Sequence, residues 1–426
     1  MKKKIGPLLA TMLVAGNMIG SGLFLLPASL AAIGSSSVIG WIISTLGALA
    51  IAGVFALLGA RRPDPDGLVQ WPAKGIHPSA GLMSFLAYWT SGWSGNVAIG
   101  LAAVGYIVSL VPALANRAAE TVLLLALSWA LVLLCMLGPR FVTRFGGMTL
   151  AIGLLPVAAA TVLGLTHFDG GVFAASWNVT DKPLLQTLPA SLSIIFWAFL
   201  GLESANAAAA VVENPERNVP IAALSGVALS GGVYIAACVA VMGVIPAAEL
   251  ARSTAPFADV VSRLAGDWAG AFIAACAALK TIGALAGWIL VTAEVGRSGA
   301  AAGYLPKFAS ESDPNVLPRR GLLVIGVLTT IAILSTLSPT LNAQFTVILN
   351  IAVVLFMAVY ALCSLALLRA PGQEFWVRAL AAVALVFSLV VIATSDLRAT
   401  WPALVLLALA VPLWLAIRAW KGRVAA

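Results

Sequence analysis

Two ionisable side chains stand inside long apolar runs of this chain: Glu203, and Lys280 eight residues before Trp288. A charged group at the centre of a membrane helix costs about 2.5–3.5 kcal/mol on insertion scales, so such residues mark functional sites unless neighbours satisfy them. A carboxylate in that setting can carry a proton or face a bound cation. The lysine can pair with Glu203, occupy a cation position of its own, or run its stem toward the interface. Glu294 has a plainer role: Arg297 follows three residues on, at the spacing of a helical ion pair.

Backbone chemistry accompanies these side chains. Residues 15–22 read Ala-Gly-Asn-Met-Ile-Gly-Ser-Gly, and residues 196–204 read Phe-Trp-Ala-Phe-Leu-Gly-Leu-Glu-Ser. Glycine costs about 1 kcal/mol against alanine in a helix interior. At membrane depth a break is tolerated only beside protein or a water-filled cavity. The N–H and C=O groups it frees can hold a small ion or zwitterion. The two breaks fall in the first and sixth predicted spans, corresponding members of two five-helix halves. Paired interruptions of this kind point to a midplane binding site in an inverted-repeat transporter. Trp197 and Trp288 stand beside glycine-marked stretches, where an indole can close over a ligand and stack on a cation. Tyr88, Trp89, Trp93 and Tyr360 also lie within spans, where packing is the ordinary role of an aromatic ring.

The elements that must position these groups are membrane helices. The chain is 61% hydrophobic and 9% charged, outside the range of a soluble domain. Apolar tracts of about 20 residues recur along it. They predict twelve spans, near 8–33, 38–60, 79–112, 119–138, 142–166, 187–211, 220–245, 262–296, 321–338, 343–368, 377–395 and 399–417. Lys2-Lys3-Lys4 resembles the start of a signal peptide, but the apolar stretch after it is too long to be a cleavable one. If every span crosses, most Lys and Arg residues fall on the side of the N-terminus, which predicts two cytoplasmic termini. The net charge of +8 is therefore a signature of topology, and no nucleic-acid partner is expected. Cys135, Cys238, Cys276 and Cys363 all fall in spans without metal or redox spacing, and His77 and His167 have no catalytic neighbours. Neither enzyme chemistry nor a metal or cofactor is expected.

The motifs carry a resemblance. Residues 14–27, Val-Ala-Gly-Asn-Met-Ile-Gly-Ser-Gly-Leu-Phe-Leu-Leu-Pro, look like the first helix of the amino acid–polyamine–organocation superfamily. Residues 201–205 and 212–220 resemble the end of its sixth helix and the loop that follows. Tyr88-Trp89, Gly95-Asn96, Gly138-Pro139, Trp177-Asn178, Pro256-Phe257 and Gly287-Trp288 match the branch of bacterial basic amino acid/polyamine antiporters. The resemblance implies an all-α integral membrane protein with twelve transmembrane helices. They would form a LeuT-like five-plus-five inverted repeat with discontinuous helices 1 and 6 and two extra C-terminal helices. On this reading residues 1–426 form a single transporter domain, with repeats at 6–166 and 187–368 and the additional pair at 377–417. The implied activity is exchange of amino acids, or of an amino acid for its decarboxylated amine, across the bacterial inner membrane by alternating access. Proton-coupled uptake or export of neutral amino acids is the alternative. A homodimer in the lipid bilayer is the assembly the resemblance allows.

The same resemblance implies site roles. The substrate carboxylate would be held by backbone N–H groups around Gly20, Ser21 and Gly22, and its α-amino group by carbonyls near Ile19 and in the turn from Trp197 through Ala198 to Leu200. Trp197 matches a proximal gate and Trp288 a middle gate, while Tyr88, Glu203 and Tyr360 match a distal gating or proton-linked group. Asn17 and Asn96 match polar helix positions, with Asn96 near the substrate side chain. Ala198 and Ala352 replace serines of the arginine/agmatine exchanger, and Ile99 replaces a methionine. Lys280 has no lysine counterpart there. A less polar pocket with a fixed cation nearby disfavours arginine and agmatine.

Overall fold

The computed structural model describes residues 6–19, 23–61, 67–203, 212–306, 308–313 and 316–424, and the regular structure among them is helical. In chain order the helices are α1 (Pro7–Met18), α2 (Leu26–Ala31), α3 (Ser37–Arg61), α4 (Gly67–Gly75), α5 (Pro78–Leu110), α6 (Arg117–Cys135), α7 (Pro139–Thr166), α8 (Gly170–Ala175) and α9 (Leu184–Phe196). After the second interruption come α10 (Pro215–Met242), α11 (Ala247–Leu250), α12 (Pro256–Ala265), α13 (Asp267–Ala301), α14 (Arg319–Ser335), α15 (Leu341–Leu368), α16 (Phe375–Thr394) and α17 (Leu397–Val424).

Local chemistry writes many of these boundaries. The His77 ring accepts from the Ser79 amide at the head of α5, and Pro78 takes the first turn, where no N–H is needed. Asn116 and Thr340 cap α6 and α15 in the same way. Gly266 sits at φ +93, a left-handed conformation that suits glycine, and it parts α12 from α13. The expected span at 262–296 is thereby corrected: it begins at Asp267 and runs to Ala301, with a separate short helix before it.

Nine of the described helices are long and apolar enough to cross a membrane, which makes this a multi-pass membrane protein. Of the other expected spans, α14 is 17 residues long. The remaining two are shortened by the predicted breaks: α1 stops at Met18 and the helix restarts at Leu26, and α9 stops at Phe196.

The two longest helices, α5 with 33 residues and α13 with 35, lie against each other. Small residues permit this approach, as is usual where lipid supplies no hydrophobic drive between helices. A Cβ added at Gly92 would lie 2.6 Å from Thr292 Oγ1, and one at Gly299 would lie 2.1 Å from the Phe85 ring. Around this pair, α15 packs on α5 and α7 on α13, while α10 packs on α3 and α1. Helices α16 and α17 turn Val383, Val386, Leu389 and Leu409 outward, as a lipid-facing surface requires.

Candidate functional site

Both interruptions end in backbone that no longer follows a helix. Ile19, after α1, has ψ 75. After α9, residues Trp197–Phe199 make a single 3-10 turn, Leu200 is extended and Gly201 takes φ +100. A Cβ would disfavour that left-handed step, which explains the glycine. Tyr234 fixes the turn by donating its hydroxyl to the Ala198 carbonyl at 3.0 Å.

A cavity lies between these two ends. Met18 lines it from the first interruption, Trp197, Ala198 and Leu200 from the second, and Ser91, Gly92, Gly95 and Ile99 from α5. Trp288 of α13 and Phe356 of α15 complete the wall. Its volume is about 30 Å³, enough for one or two waters. An amino acid would need the walls to move apart. Gly95 faces the Trp197 ring: a Cβ there would stand 3.2 Å from Trp197 Cη2.

Five residues singled out in the sequence line this cavity directly: Ile99, Trp197, Ala198, Leu200 and Trp288. Ala352 lies just behind the wall, its Cβ 3.9 Å from where a Gly95 Cβ would be, and Ile19 is buried beside Met18. Asn96 is fully buried and does not line the cavity, and neither its Oδ1 nor its Nδ2 has a partner among the described residues. Leaving such a group unpaired costs about 1–3 kcal/mol. Gly20, Ser21 and Gly22 lie outside the described residues, as does the side chain of Asn17.

Sequence reading missed Met18, Ser91, Gly92, Gly95 and Phe356 as lining residues. The signal was periodicity. Tyr88, Ser91, Gly92, Gly95 and Ile99 recur at three- and four-residue steps, one face of a helix, as do Ala352, Phe356 and Tyr360.

Beyond Phe356 lies a polar cluster. Tyr360 donates to Glu203 Oε2 at 2.7 Å, Tyr88 donates to Oε1 at 3.3 Å, and the Gly201 amide donates to Oε2 at 3.2 Å. Tyr88, Glu203 and Tyr360 are thus together, drawn from α5, the second interruption and α15. Phe356 joins this cluster to the cavity: its ring stands edge-on to Tyr88 at 5.4 Å and to Trp288 at 6.3 Å. Protonation of the carboxyl would change the partner it offers both tyrosines.

Lys280 is elsewhere. It is buried, with no ion pair or hydrogen bond among the described residues, and its stem lies across Gly153 of α7. The pairing with Glu203 considered from sequence is therefore not formed. Three donors already surround the carboxylate, and the lysine stem packs in the seam between α13 and α7. Glu294 and Arg297 do pair at their helical spacing.

Known proteins share this arrangement of sequence. The profile of the amino acid permease family matches residues 5–416. The chain belongs to that family. A cadaverine/lysine antiporter of Escherichia coli K12 is 36% identical to this permease over 375 residues, covering 87% of this chain and 84% of the relative. Putrescine transporters PotE of Haemophilus influenzae and Escherichia coli K12 are each 34% identical over 364 residues, 85% of this chain and 84% and 83% of theirs. The permease is a membrane transporter and not an enzyme.

Proposed function

We propose that this permease exchanges amino acids, or an amino acid for its decarboxylated amine, across the bacterial inner membrane by alternating access. The observation that carries this reading is the cavity between two interrupted helices, walled by Trp197 and Trp288 and linked through Phe356 to Glu203. Trp197 and Trp288 act as gates, and the Tyr88–Glu203–Tyr360 cluster as the proton-linked group. The carboxylate anchor at Gly20, Ser21 and Gly22 rests on the resemblance of the first span. Exchange is the mode named for the cadaverine/lysine relative.

Helix lengths support a five-plus-five repeat. In order, α3, α5, α6 and α7 have 25, 33, 19 and 28 residues, and α10, α13, α14 and α15 have 28, 35, 17 and 28. The packing of α5 on α15 mirrors that of α13 on α7, and short helices α4 and α12 precede α5 and α13. Helices α16 and α17 stand outside this correspondence. The distribution of Lys and Arg supports cytoplasmic termini.

One observation favours the second reading, proton-coupled movement of neutral amino acids. Most of the cavity's side chains are apolar, Ser91 and the two indoles being the ones with a polar N–H or hydroxyl, and among the described residues no charged group lines it. An apolar wall suits an alkyl chain better than a guanidinium. Counterflow into proteoliposomes separates the two. Uptake of labelled lysine driven by internal cadaverine or putrescine supports exchange. Uptake of neutral amino acids driven only by a pH gradient supports the alternative, and counterflow with neither class overturns the exchange reading.

A further inference from the structure

A second cavity, of about 200 Å³, lies away from the site, lined by Tyr304, Trp414, Ile417 and Arg418. Its position along the helices is informative. It lies at helix ends: α13 ends at Ala301, three residues before Tyr304, and α5 begins at Pro78, next to the His77 ring that packs on Trp414. Helices of 33 and 35 residues overrun a hydrocarbon core of about 30 Å, so their ends, and this cavity with them, fall at the level of lipid headgroups. Trp, Tyr and Arg are the residues that settle at that level.

Its chemistry has two parts. The Arg418 guanidinium lies over the Trp414 ring, 5.5 Å from its centroid, and makes no ion pair among the described residues. A stacked guanidinium keeps its planar fork of donors free for an anion. His77 meets the other aromatic partner edge-on, with ring centroids 4.8 Å apart. Its Nδ1 is committed to the Ser79 amide, so the ring serves as a buttress that holds Trp414 in place. Tyr304, which also lines the cavity, is held in turn by the Phe85 ring at 5.5 Å. Ile417 and the flank of Trp414 supply an apolar side.

We propose that this cavity binds an anionic glycerophospholipid, with the phosphate on Arg418 and Tyr304 and the start of an acyl chain along Ile417 and Trp414. The charge matches a phosphodiester monoanion, the apolar side matches the hydrocarbon attached to it, and the depth matches the plane in which such lipids lie. A free phosphate satisfies only the first of these.

The test uses the purified full chain in detergent and reads lipid binding by native mass spectrometry and by the shift in unfolding temperature. Phosphatidylglycerol is compared with phosphatidylcholine and with inorganic phosphate at equal concentration. Phosphatidylglycerol is expected to bind and stabilise, phosphatidylcholine and phosphate much less, and Arg418→Gln to weaken phosphatidylglycerol about fivefold, as one interfacial arginine does. Tyr304→Phe should give a smaller loss with the fold unchanged, and Ile417→Glu should abolish the preference. Equal stabilisation by phosphatidylcholine, equal stabilisation by phosphate, or unchanged binding in Arg418→Gln and Tyr304→Phe would each overturn the proposal.

Discussion

The Tyr360 hydroxyl donates to Glu203 Oε2 at 2.7 Å, binding helix α15 to the turn that follows the second interruption. Tyr88 reaches the other oxygen only at 3.3 Å. The two tyrosines therefore hold one carboxyl unequally, and the shorter bond should matter more.

Hydrogen bonds to a charged group contribute about 1.5–3 kcal/mol, and the loss falls off with distance. Tyr360→Phe should lower the unfolding temperature and displace the pH profile of transport more than Tyr88→Phe does. Glu203→Gln should flatten the profile, since the amide cannot ionise. Equal effects of the two tyrosine variants would remove the asymmetry, and a wild-type pH profile in Glu203→Gln would remove the proton role.

The interruptions were legible in the sequence because clustered glycines weaken a helix in the middle of an apolar run, and Glu203 because a buried carboxylate is costly. The two tryptophans that wall the cavity, Trp197 and Trp288, followed from the same breaks. The α5 face from Tyr88 to Ile99 was harder to see. In a helix apolar nearly all round, no polar stripe marks which face meets the cavity, and serine and glycine at Ser91, Gly92 and Gly95 look like ordinary packing. The isolation of Lys280 from Glu203 was not legible. Two charged residues in one bundle suggest each other, and only the seam between α13 and α7 shows that the lysine faces away.

Gly95 offers a test in which stability and activity diverge. Alanine in a helix interior gains about 1 kcal/mol over glycine, while its methyl would sit 3.2 Å from Trp197 Cη2. Gly95→Ala should keep or raise the unfolding temperature and raise the KM for substrate. Gly95→Val should abolish exchange with the protein still folded. An unchanged KM in both variants would separate this wall from the substrate path.

Outside the spans, Asp259 carries a pH dependence of stability. Burial pushes its carboxyl above the usual carboxylate range, although the Ser253 hydroxyl donates to it and lowers it in part. As pH rises from about 3.9, the unfolded chain gives up this proton first. The folded state therefore loses stability until its own raised value is passed, and the loss is constant above. Asp259→Asn keeps an acceptor for Ser253 and removes the slope. It should match the wild type near pH 4 and exceed it at pH 7 in unfolding temperature; a variant less stable at pH 7 would show that the ionised form is favoured in place.

Lys280 and Glu203 should behave as independent sites. The lysine stem packs on Gly153, whose added Cβ would lie 2.2 Å from Lys280 Cγ, 2.4 Å from Cδ and 2.6 Å from Cβ. Lys280→Met keeps a stem of similar length over that glycine and removes an ammonium without a described partner, so it should stabilise the protein by up to about 3 kcal/mol. Gly153→Ala should cost about 1–3 kcal/mol through overpacking, and Lys280→Met should not rescue it, because the stem atoms in conflict remain. Substitutions that share no partner add to within about 0.5 kcal/mol. The stability of the Glu203→Gln, Lys280→Met double variant, measured by reversible unfolding in detergent, should therefore equal the sum of the single effects. A coupling well beyond that margin would mean that the two charges meet in some state of the transport cycle, and Lys280 would then join the proton-linked group.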